Sequence, residues 1–316
     1  MTETPDMTYR HLGDSGLVVS VVGIGCNNFG GRMDQAATDA VVAQALDSGI
    51  TLFDTADVYG GSGKSEEMLG KALGSRRDDA VIATKFGGDM HGVNGPDWGA
   101  RGSRRYIRKA VESSLRRLGT DYIDLYQIHS PDNATPREET LSALTELVRE
   151  GKVRYLGSSN YAGWQVLDAD WISRTAGLER FVSAQNRYSL LDRAAEKELV
   201  PACEHAGVGI LPYFPLASGL LTGKYRRGEP APEGTRLAVR KDTLENADFD
   251  RVEALQRYAD DRGVSLLAVA IGGLAAQPAV ASVIAGATRP EQVVANVAAG
   301  TWEPTAEDLV ALDEVA

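Results

Sequence analysis

The segment LFDTADVYGGSGKSEE, residues 52–67, contains side chains that could do acid–base chemistry. Asp54 stands at the end of a short apolar run, and Tyr59 follows in a segment flanked by glycines. A phenol can act as a proton donor when a neighbouring charge tunes its pKa. A loop tyrosine on its own is more typical of surface packing, so the role of Tyr59 depends on what other segments bring beside it.

Other apolar runs also end in polar side chains. Lys85 ends the run AVIATK, and His129 ends the run IDLYQIH. Four further polar residues end or follow later runs: Asn160, Gln185, Asn186 and Tyr213. Because burying an ammonium without a carboxylate is costly, Lys85 requires a partner, which Asp54 can supply. A purely structural ion pair is the alternative for Asp54 and Lys85, and a hydrogen-bonded core histidine is the alternative for His129.

The apolar runs alternate with helical patterns in the order expected of a parallel α/β barrel. Eight strands are predicted, at residues 21–25, 51–55, 80–85, 123–129, 153–159, 181–186, 208–213 and 281–286. Helices are predicted at residues 34–48, 66–73, 104–118, 138–150, 163–175 and 196–205, and five of them are followed by a glycine in the C-cap position. In a (β/α)8 TIM barrel the carboxyl ends of all strands face one mouth, so we expect the polar residues at these ends to converge.

Two segments extend this repeat. The segment YRHLGDSGLVVS, residues 9–20, predicts an N-terminal β-hairpin. Residues 216–278 form a long excursion between strands 7 and 8, with two helical patterns and the loop GEPAPEGTRLAVRKD, which we expect over the active face. A doubly wound sheet is the main rival fold, but GIGCNNFG after the first strand lacks the third glycine of a dinucleotide-binding turn. The length of 316 residues suits a single barrel domain over residues 1–316.

The amino-acid composition disfavours several classes of partner and site. A net charge of -11 and a pI near 5.0 disfavour nucleic acid and anionic membranes as partners. The basic segment RRYIRKAVESSLRR has apolar residues at helical spacing, which indicates the solvated outer face of an amphipathic helix. The chain has no run of about 18 apolar residues, and the N-terminus MTETPDMTYRHLG has no apolar signal core, so we expect a cytoplasmic protein. The spacing of Cys26 and Cys203 predicts neither a disulfide framework nor a metal site.

Over essentially its whole length the sequence resembles an aldo-keto reductase. The matching motifs, in chain order, are FDTADVYG, ATKFG, YIDLYQIH, VRYLGSSNY, AQNRYSLL, LPYFPLASGLLTGK and SVIAGATRPEQVVANV. The forms PLASGLLTGK and GATRPEQ are similar to the branch that contains bacterial reductases, sugar dehydrogenases and potassium-channel β subunits. The resemblance implies a TIM barrel that binds NADPH or NADP without a Rossmann fold.

The resemblance also implies a catalytic tetrad of Asp54, Tyr59, Lys85 and His129. Tyr59 would give a proton to the oxygen of an aldehyde or ketone as hydride reaches its carbon. Lys85 would lower the pKa of that phenol, Asp54 would hold Lys85, and His129 would orient the carbonyl oxygen. The expected reaction is the NADPH-dependent reduction of carbonyls to alcohols.

By the same resemblance, a set of residues along the mouth holds the cofactor. Ser159, Asn160 and Gln185 would contact the nicotinamide carboxamide, and the Tyr213 ring would stack on the nicotinamide. The pyrophosphate would lie on the loop of residues 216–224, whose expected contacts are Leu216, Ser218, Gly219, Leu221, Thr222, Gly223 and Lys224. Gly286, Thr288, Arg289, Gln292 and Asn296 would surround the adenosine 2'-phosphate and adenine, the last three from one helix face.

The substrate is less well defined. Phe29, Trp98 in the loop HGVNGPDW, Tyr161 and Tyr188 are expected to line a pocket above the nicotinamide, although each could equally be packing at the rim. The expected partner is a small carbonyl compound or sugar. Two alternatives stay open: an aldose or pyridoxal dehydrogenase working in the oxidative direction, and a cofactor-sensing regulatory subunit. His129 favours an enzyme, because the channel β subunits carry asparagine at that position.

Overall fold

A computed structural model describes residues 7–316. The predictions for the N-terminal segment and for a domain over residues 1–316 extend to residues 1–6, which lie outside the described residues. No helix within residues 7–316 is both long enough and apolar enough to cross a membrane. Cys26 and Cys203 are both buried.

Ten strands lie in two sheets. Their bounds are β1 Tyr9–His11, β2 Val18–Ser20, β3 Val22–Gly25, β4 Leu52–Asp54, β5 Val81–Phe86, β6 Ile123–Ile128, β7 Val153–Ser159, β8 Phe181–Gln185, β9 Gly209–Ile210 and β10 Val283–Ala285. The eight strands from β3 to β10 are parallel and lie in the order β10-β3-β4-β5-β6-β7-β8-β9. All eight strands predicted for the barrel are confirmed.

Helices follow the strands and cover the outside of the sheet. Their bounds are α1 Gln35–Asp47, α2 Tyr59–Ser62, α3 Lys64–Leu73, α4 Arg104–Leu118, α5 Arg137–Arg149, α6 Gly163–Ala176, α7 Leu199–Ala206, α8 Lys241–Glu245, α9 Phe249–Asp261, α10 Leu266–Ala275, α11 Pro290–Ala299 and α12 Ala306–Val315. Short 3-10 helices lie at Gly74–Asp79, Ala194–Lys197 and Ala217–Thr222. The excursion before β10 holds three α-helices and a 3-10 helix, where the sequence indicated two helical patterns.

The sheet closes between its two edge strands. The Ile210 N–H donates to the Ala279 carbonyl at 2.7 Å, and the Ala281 N–H donates back to the Ile210 carbonyl at 3.0 Å. A third bond, from the Ile284 N–H to the Pro212 carbonyl at 3.2 Å, extends the contact towards the mouth. Because these bonds satisfy the edges of β9 and β10, the sheet forms the (β/α)8 barrel that the sequence predicts.

The N-terminal hairpin fills the opposite end of the barrel. β1 and β2 pair antiparallel, and Leu12, Leu17 and Val19 are buried in the apolar cluster inside the barrel. Gly13 lies at φ +57°, and a Cβ atom there would lie 2.5 Å from the Gly207 carbonyl oxygen. Only glycine fits so close an approach in a left-handed conformation. The plugged end leaves the carboxyl ends of the strands as the open face.

Candidate functional site

A cavity of about 730 Å³ opens at the carboxyl ends of the barrel strands. Three residues of the expected tetrad line it, namely Asp54, Tyr59 and His129, whereas Lys85 is fully buried behind them. Fourteen residues expected around the cofactor also line it: Ser159, Asn160, Gln185, Tyr213, Leu216, Ser218, Gly219, Thr222, Lys224, Gly286, Thr288, Arg289, Gln292 and Asn296. The structure therefore brings side chains from seven separate segments of the sequence to one mouth.

A buried ion pair forms the base of this mouth. Lys85 Nζ lies 2.8 and 2.7 Å from the two carboxylate oxygens of Asp54 and 2.9 Å from the Thr55 carbonyl oxygen. β4 and β5 are neighbours in the sheet, which places these two strand ends side by side. Asp54 Oδ1 also accepts from the side-chain amides of Gln185 at 2.8 Å and Gln127 at 3.3 Å. The carboxylate is thus supplied with both a counter-charge and hydrogen bonds, as burial requires.

The Tyr59 ring lies over this pair. Lys85 Nζ is 5.1 Å from the centre of the Tyr59 ring, and the ring meets that of His129 edge to face at a centroid distance of 5.8 Å. Tyr59 begins the short α2, in which Gly60 and Gly61 have positive φ. A Cβ atom at Gly60 would lie 2.7 Å from the Phe29 carbonyl oxygen, so the glycine lets the Tyr59 segment press against the loop after β3.

Burial dominates the protonation of Tyr59. It raises the pKa of Tyr59 above the ordinary value of a phenol, although Lys85 acts in the opposite direction. The lowering of the Tyr59 pKa by Lys85 that the sequence predicts is present, but desolvation outweighs it. Burial alone would lower the pKa of Lys85, but the attraction of Asp54 and Tyr59 more than offsets it and raises that pKa. At neutral pH the site holds an ammonium beside a protonated phenol.

His129 stays neutral beside that ammonium. Burial, with Lys85 as the second cause, lowers the pKa of His129 to about 3. Its Nδ1 is buried and has no hydrogen-bond partner within residues 7–316. The neutral imidazole can therefore serve as a hydrogen-bonding group at the mouth without adding a second positive charge.

Strained backbone surrounds the part of the cavity expected to hold the cofactor. Asn160, Phe214, Ala217 and Ser218 have positive φ, which is costly for residues other than glycine. Three hydrogen bonds hold the Asn160 side chain: its Nδ2 donates to the His129 carbonyl at 2.9 Å and to Ser159 Oγ at 3.1 Å, and its Oδ1 accepts from the Tyr213 hydroxyl at 2.8 Å. These contacts fix the Tyr213 ring at the cavity wall.

The loop of residues 216–224 uses several of its own polar groups internally. The Gly219 and Leu221 N–H groups both donate to the Leu216 carbonyl, at 2.7 and 3.3 Å, and the Thr222 hydroxyl donates to the Gly219 carbonyl at 2.7 Å. Leu221 is fully buried, and neither Leu221 nor Gly223 lines the cavity, whereas Thr222 does. Ser218 and Lys224 present their side chains at the wall.

The far end of the cavity lies at the start of α11. Arg289 is the N-cap residue of this helix, and Gln292 accepts from the Thr288 N–H at 2.8 Å. Asn296 lines the cavity on the same helix face, and its Nδ2 is a buried donor with no partner in the described part of the chain. The unsatisfied Asn296 donor fits a ligand that carries acceptor atoms, and the start of α11 at Arg289 fits a ligand that carries negative charge.

Two arginines that the sequence analysis missed also reach the cavity. Arg236 Nη2 donates to Asn28 Oδ1 at 3.3 Å, and Arg32 Nη2 donates to the Gly234 carbonyl at 2.9 Å. The predicted loop of residues 228–242 therefore crosses the mouth and meets the loop after β3. Arg32 follows the end of a predicted strand in GIGCNNFGGR, so the strand-end argument could have found it.

The four residues expected around the substrate do not line this cavity. Phe29, Tyr161 and Tyr188 are buried, where Tyr161 packs against Phe181 and the Tyr188 hydroxyl donates to Glu196 at 2.7 Å. Trp98 is 66% exposed and lies against Arg105 on the surface. The sequence could not separate cavity walls from packing, because both are lined by aromatic residues beside strand ends.

The matches to known proteins cover most of the chain. The family model described as Aldo/keto reductase family matches residues 21–316. An uncharacterised oxidoreductase of Bacillus subtilis (strain 168) is 38% identical over 294 residues, which cover 91% of this chain and 89% of that protein. A probable voltage-gated potassium channel subunit beta of Oryza sativa subsp. japonica is 36% identical over 305 residues, covering 93% and 91%. The versiconal hemiacetal acetate reductase of Aspergillus parasiticus is 36% identical over 338 residues, covering 98% and 95%.

The buried ion pair predicts non-additive losses of stability. Lys85→Met alone leaves Asp54 without its counter-charge, and Asp54→Asn alone leaves Lys85 without its own, so each should cost about 3 to 5 kcal/mol. The double variant removes both charges and should cost clearly less than the sum. Free energies of unfolding from denaturant titration measure this. Lys64→Met with Glu67→Gln, an exposed pair at 3.3 Å, is the matched control, and additive losses at residues 54 and 85 would contradict the coupling.

The neutral state of His129 predicts a pH-dependent stability. Its pKa is about 3 in the folded chain against about 6.5 when unfolded, so between these values the unfolded chain binds the extra proton. The wild type should therefore lose about 2 kcal/mol, relative to His129→Gln, between pH 8 and pH 5. Unfolding free energies at the two pH values test this, with His91→Gln, an 80% exposed side chain, as control. An equal difference at both pH values would mean that folded His129 takes up the proton.

Proposed function

The chain belongs to the aldo/keto reductase family, for which nicotinamide-dependent oxidoreduction is the general activity, and we propose that it reduces aldehyde or ketone carbonyls to alcohols with NADPH. The observation that carries the proposal is the stacked arrangement of the Asp54–Lys85 ion pair, the Tyr59 phenol and the neutral His129 imidazole at one mouth. Bound NADPH would supply the hydride.

Tyr59 is proposed as the proton donor. Its raised pKa keeps the phenol protonated at neutral pH, which is the state that a general acid needs. Once the proton has left, the phenolate would lie beside the Lys85 ammonium, whose attraction offsets the cost of a buried negative charge. Asp54 keeps that ammonium in place at 2.7 Å. His129 would orient the carbonyl oxygen by a hydrogen bond and stabilise the charge that develops on it.

The cavity fits a nicotinamide dinucleotide in its chemistry. Asn160 and Tyr213 would hold the nicotinamide end, and Ser218 and Lys224 the pyrophosphate. Arg289 and the unpartnered Asn296 amide would bind the adenosine end. No carboxylate of residues 7–316 lies within 4.0 Å of the charged groups of Lys224, Arg236 or Arg289, which leaves these cations free to meet phosphate groups.

The reductive direction is proposed over the oxidative one because the raised pKa of Tyr59 keeps the phenol protonated, and a protonated phenol can donate a proton but cannot accept one. The relative from Aspergillus parasiticus is named a reductase, whereas the one from Oryza sativa is named a channel subunit. A complete donor array with a protonated phenol is needed for turnover but not for cofactor binding alone. Assays of a carbonyl panel with NADPH, and of an alcohol and sugar panel with NADP, separate the cases. Turnover faster on the second panel would favour a dehydrogenase, and tight NADPH binding without turnover would favour a regulatory subunit.

Replacement of the proposed acid should abolish reduction without releasing the cofactor. Tyr59→Phe removes one hydroxyl and little volume, so kcat should fall roughly 10²-fold or more. The Kd for NADPH, measured by fluorescence titration, should stay within about twofold because the ring remains. Tyr155→Phe, which changes a phenol beside Gly16 at the plugged end of the barrel, is the matched control. A folded Tyr59→Phe protein with kcat within a few-fold of wild type would contradict the role of Tyr59 as the proton donor.

Arg289 should determine the preference for NADPH. A guanidinium at a helix N-terminus can bind the 2'-phosphate that NADPH carries and NADH lacks. Arg289→Ala should therefore weaken NADPH binding by about 1.5 to 3 kcal/mol and leave NADH nearly unchanged. Dissociation constants for both cofactors, with the exposed Arg149→Ala as control, decide the point. An equal loss for the two cofactors would show that Arg289 supports the fold of the site and does not read the phosphate.

A further inference from the structure

Behind Tyr59 lies a buried chain of hydrogen bonds that the proposed reaction does not use. Asn94 Nδ2 donates to Asp57 Oδ2 at 3.3 Å, and Arg117 Nη1 donates to Asn94 Oδ1 at 3.2 Å. Arg117 Nε donates to Glu66 Oε2 at 2.6 Å, and the Thr84 hydroxyl donates to Glu66 Oε1 at 2.6 Å. We call these five residues the buried chain. Four of them are buried, and the Arg117 side chain is only 11% exposed.

The buried chain connects the segments that carry the catalytic groups. Asp57 lies two residues before Tyr59, and its N–H donates to the Lys85 carbonyl at 3.1 Å. At the other end, Thr84 precedes Lys85 on β5. Between these ends the buried chain passes through the loop that follows β5, then α4 and α3. Both ends therefore meet β5 beside Lys85, and Tyr59 extends from one of them.

The charges of the buried chain balance without Asp57. Arg117 is paired with Glu66, and Lys85 is paired with Asp54. An ionised Asp57 would add a buried negative charge with no cation of its own, which is expensive in a low-dielectric interior. Its hydrogen bonds are also too few for a carboxylate: Asp57 Oδ1 is buried and has no partner within residues 7–316.

A neutral carboxyl group suits these surroundings better. A protonated carboxyl carries no net charge, so it avoids the cost of desolvating a carboxylate. The Tyr126 hydroxyl on β6 is a second buried group with no partner in the described structure, and burial raises its pKa, so this phenol keeps its proton. Within residues 7–316 the Asp57 carboxyl has no side-chain hydrogen bond beyond that of Asn94, which favours its neutral form.

The net effect of burial and of the titratable groups around Asp57 is to favour its neutral form. Burial and the charge of Glu66 raise the pKa of Asp57 to about 8, against the opposing effects of Arg117, the Val58 N–H and Lys85. Tyr106 on α4 also faces Asp57, and burial raises its pKa as well. Arg117 is already paired with Glu66, and Lys85 with Asp54. The attraction of these two cations therefore does not overcome the cost of desolvating an ionised Asp57.

We propose that Asp57 is a positioning residue that, as a neutral carboxylic acid held by the buried chain, fixes the start of α2 so that the Tyr59 phenol stays beside Lys85. The proposal rests on the proposed role of Tyr59 as the acid. Ionisation of Asp57 would disrupt this arrangement in two ways. It would break the neutral hydrogen bonding of the interior, and it would place a negative charge two residues from a phenol that must form a phenolate.

The dependence of kcat on pH tests the proposal through Asp57→Asn, which keeps the shape and a donor but cannot ionise. At pH 7 this variant should retain kcat within about threefold of wild type, because both side chains are neutral. One pH unit above a pKa of about 8 only about a tenth of Asp57 is neutral, so at pH 9 the wild type should fall roughly tenfold relative to the variant. Profiles that superimpose, or a loss above tenfold at pH 7, would overturn the proposal.

Removal of the contact distinguishes positioning from a general structural role. Asp57→Ala should lower kcat by roughly 10- to 100-fold, the cost of a misplaced catalytic group, whereas Asp57→Asn restores it. The Kd for NADPH should stay within about twofold in both variants. If Asp57→Ala does not fold, Asn94→Ala takes its place, because it cuts the buried chain outside the catalytic segment. An unchanged kcat in these variants, or equal losses of kcat and NADPH affinity, would refute positioning.

A thermal measurement tests the neutral acid without any substrate. The folded pKa of Asp57 lies above its unfolded value, so the stabilising effect of its proton is complete below about pH 4 and is lost as the pH rises through about 8. The Tm of Asp57→Asn should therefore rise relative to wild type from pH 5 to pH 9, while the exposed Asp121→Asn shows no such trend. A constant difference in Tm from pH 5 to pH 9 would show that the folded protein already holds an ionised Asp57 at pH 5, and would overturn the proposal. Because the Tm measurement needs no substrate, it tests the neutral state of Asp57 even if the carbonyl panel shows no turnover. An absence of turnover would refute the proposed function and not the neutral acid.

Discussion

The buried ion pair between Lys85 and Asp54 is the constraint on which the mouth of the barrel depends. An ammonium that is fully buried at a strand end is tolerated only because a carboxylate on the neighbouring strand lies 2.7 Å away. The amides of Gln185 and Gln127, from two further strands, complete the hydrogen bonding of that carboxylate. Four strands must therefore keep their register for one charge to be satisfied. The stability of the barrel and the geometry of the site thus depend on the same contacts.

The protonation of the neighbouring groups is set by burial and modified by this pair. Burial keeps the His129 imidazole neutral, and the positive charge of Lys85 acts in the same direction. On Tyr59 burial also dominates, so the phenol keeps its proton although Lys85 favours the phenolate. The fixed Lys85 ammonium thus adds to the desolvation of His129 and, in the proposed reaction, stabilises the phenolate left by proton donation.

Much of the fold and of the mouth could be predicted because strand ends carry local signals. Asp54, Lys85 and His129 each end an apolar run, and barrel geometry alone brings such residues together. Phe29 and Tyr188 lie in the core and not at the cavity for a physical reason: they have the aromatic character of a pocket wall, but the same character favours burial. The buried chain was also not predicted, because Asp57, Asn94 and Arg117 meet only through long-range packing of loop against helix, which no short motif encodes.

The two buried ion pairs explain why Tyr59, His129 and Asp57 are neutral in the resting site. Lys85 with Asp54, and Arg117 with Glu66, each balance within themselves, so among residues 7–316 these three groups have no unpaired cation beside them. Desolvation therefore decides, and Tyr59, His129 and Asp57 all adopt their neutral forms at pH 7. In the proposed reaction the first charge to appear beside these groups would be the one that develops on the carbonyl oxygen as hydride arrives. A site arranged in this way stabilises that charge more than any charge of the ground state, which is the requirement for accelerating the chemical step.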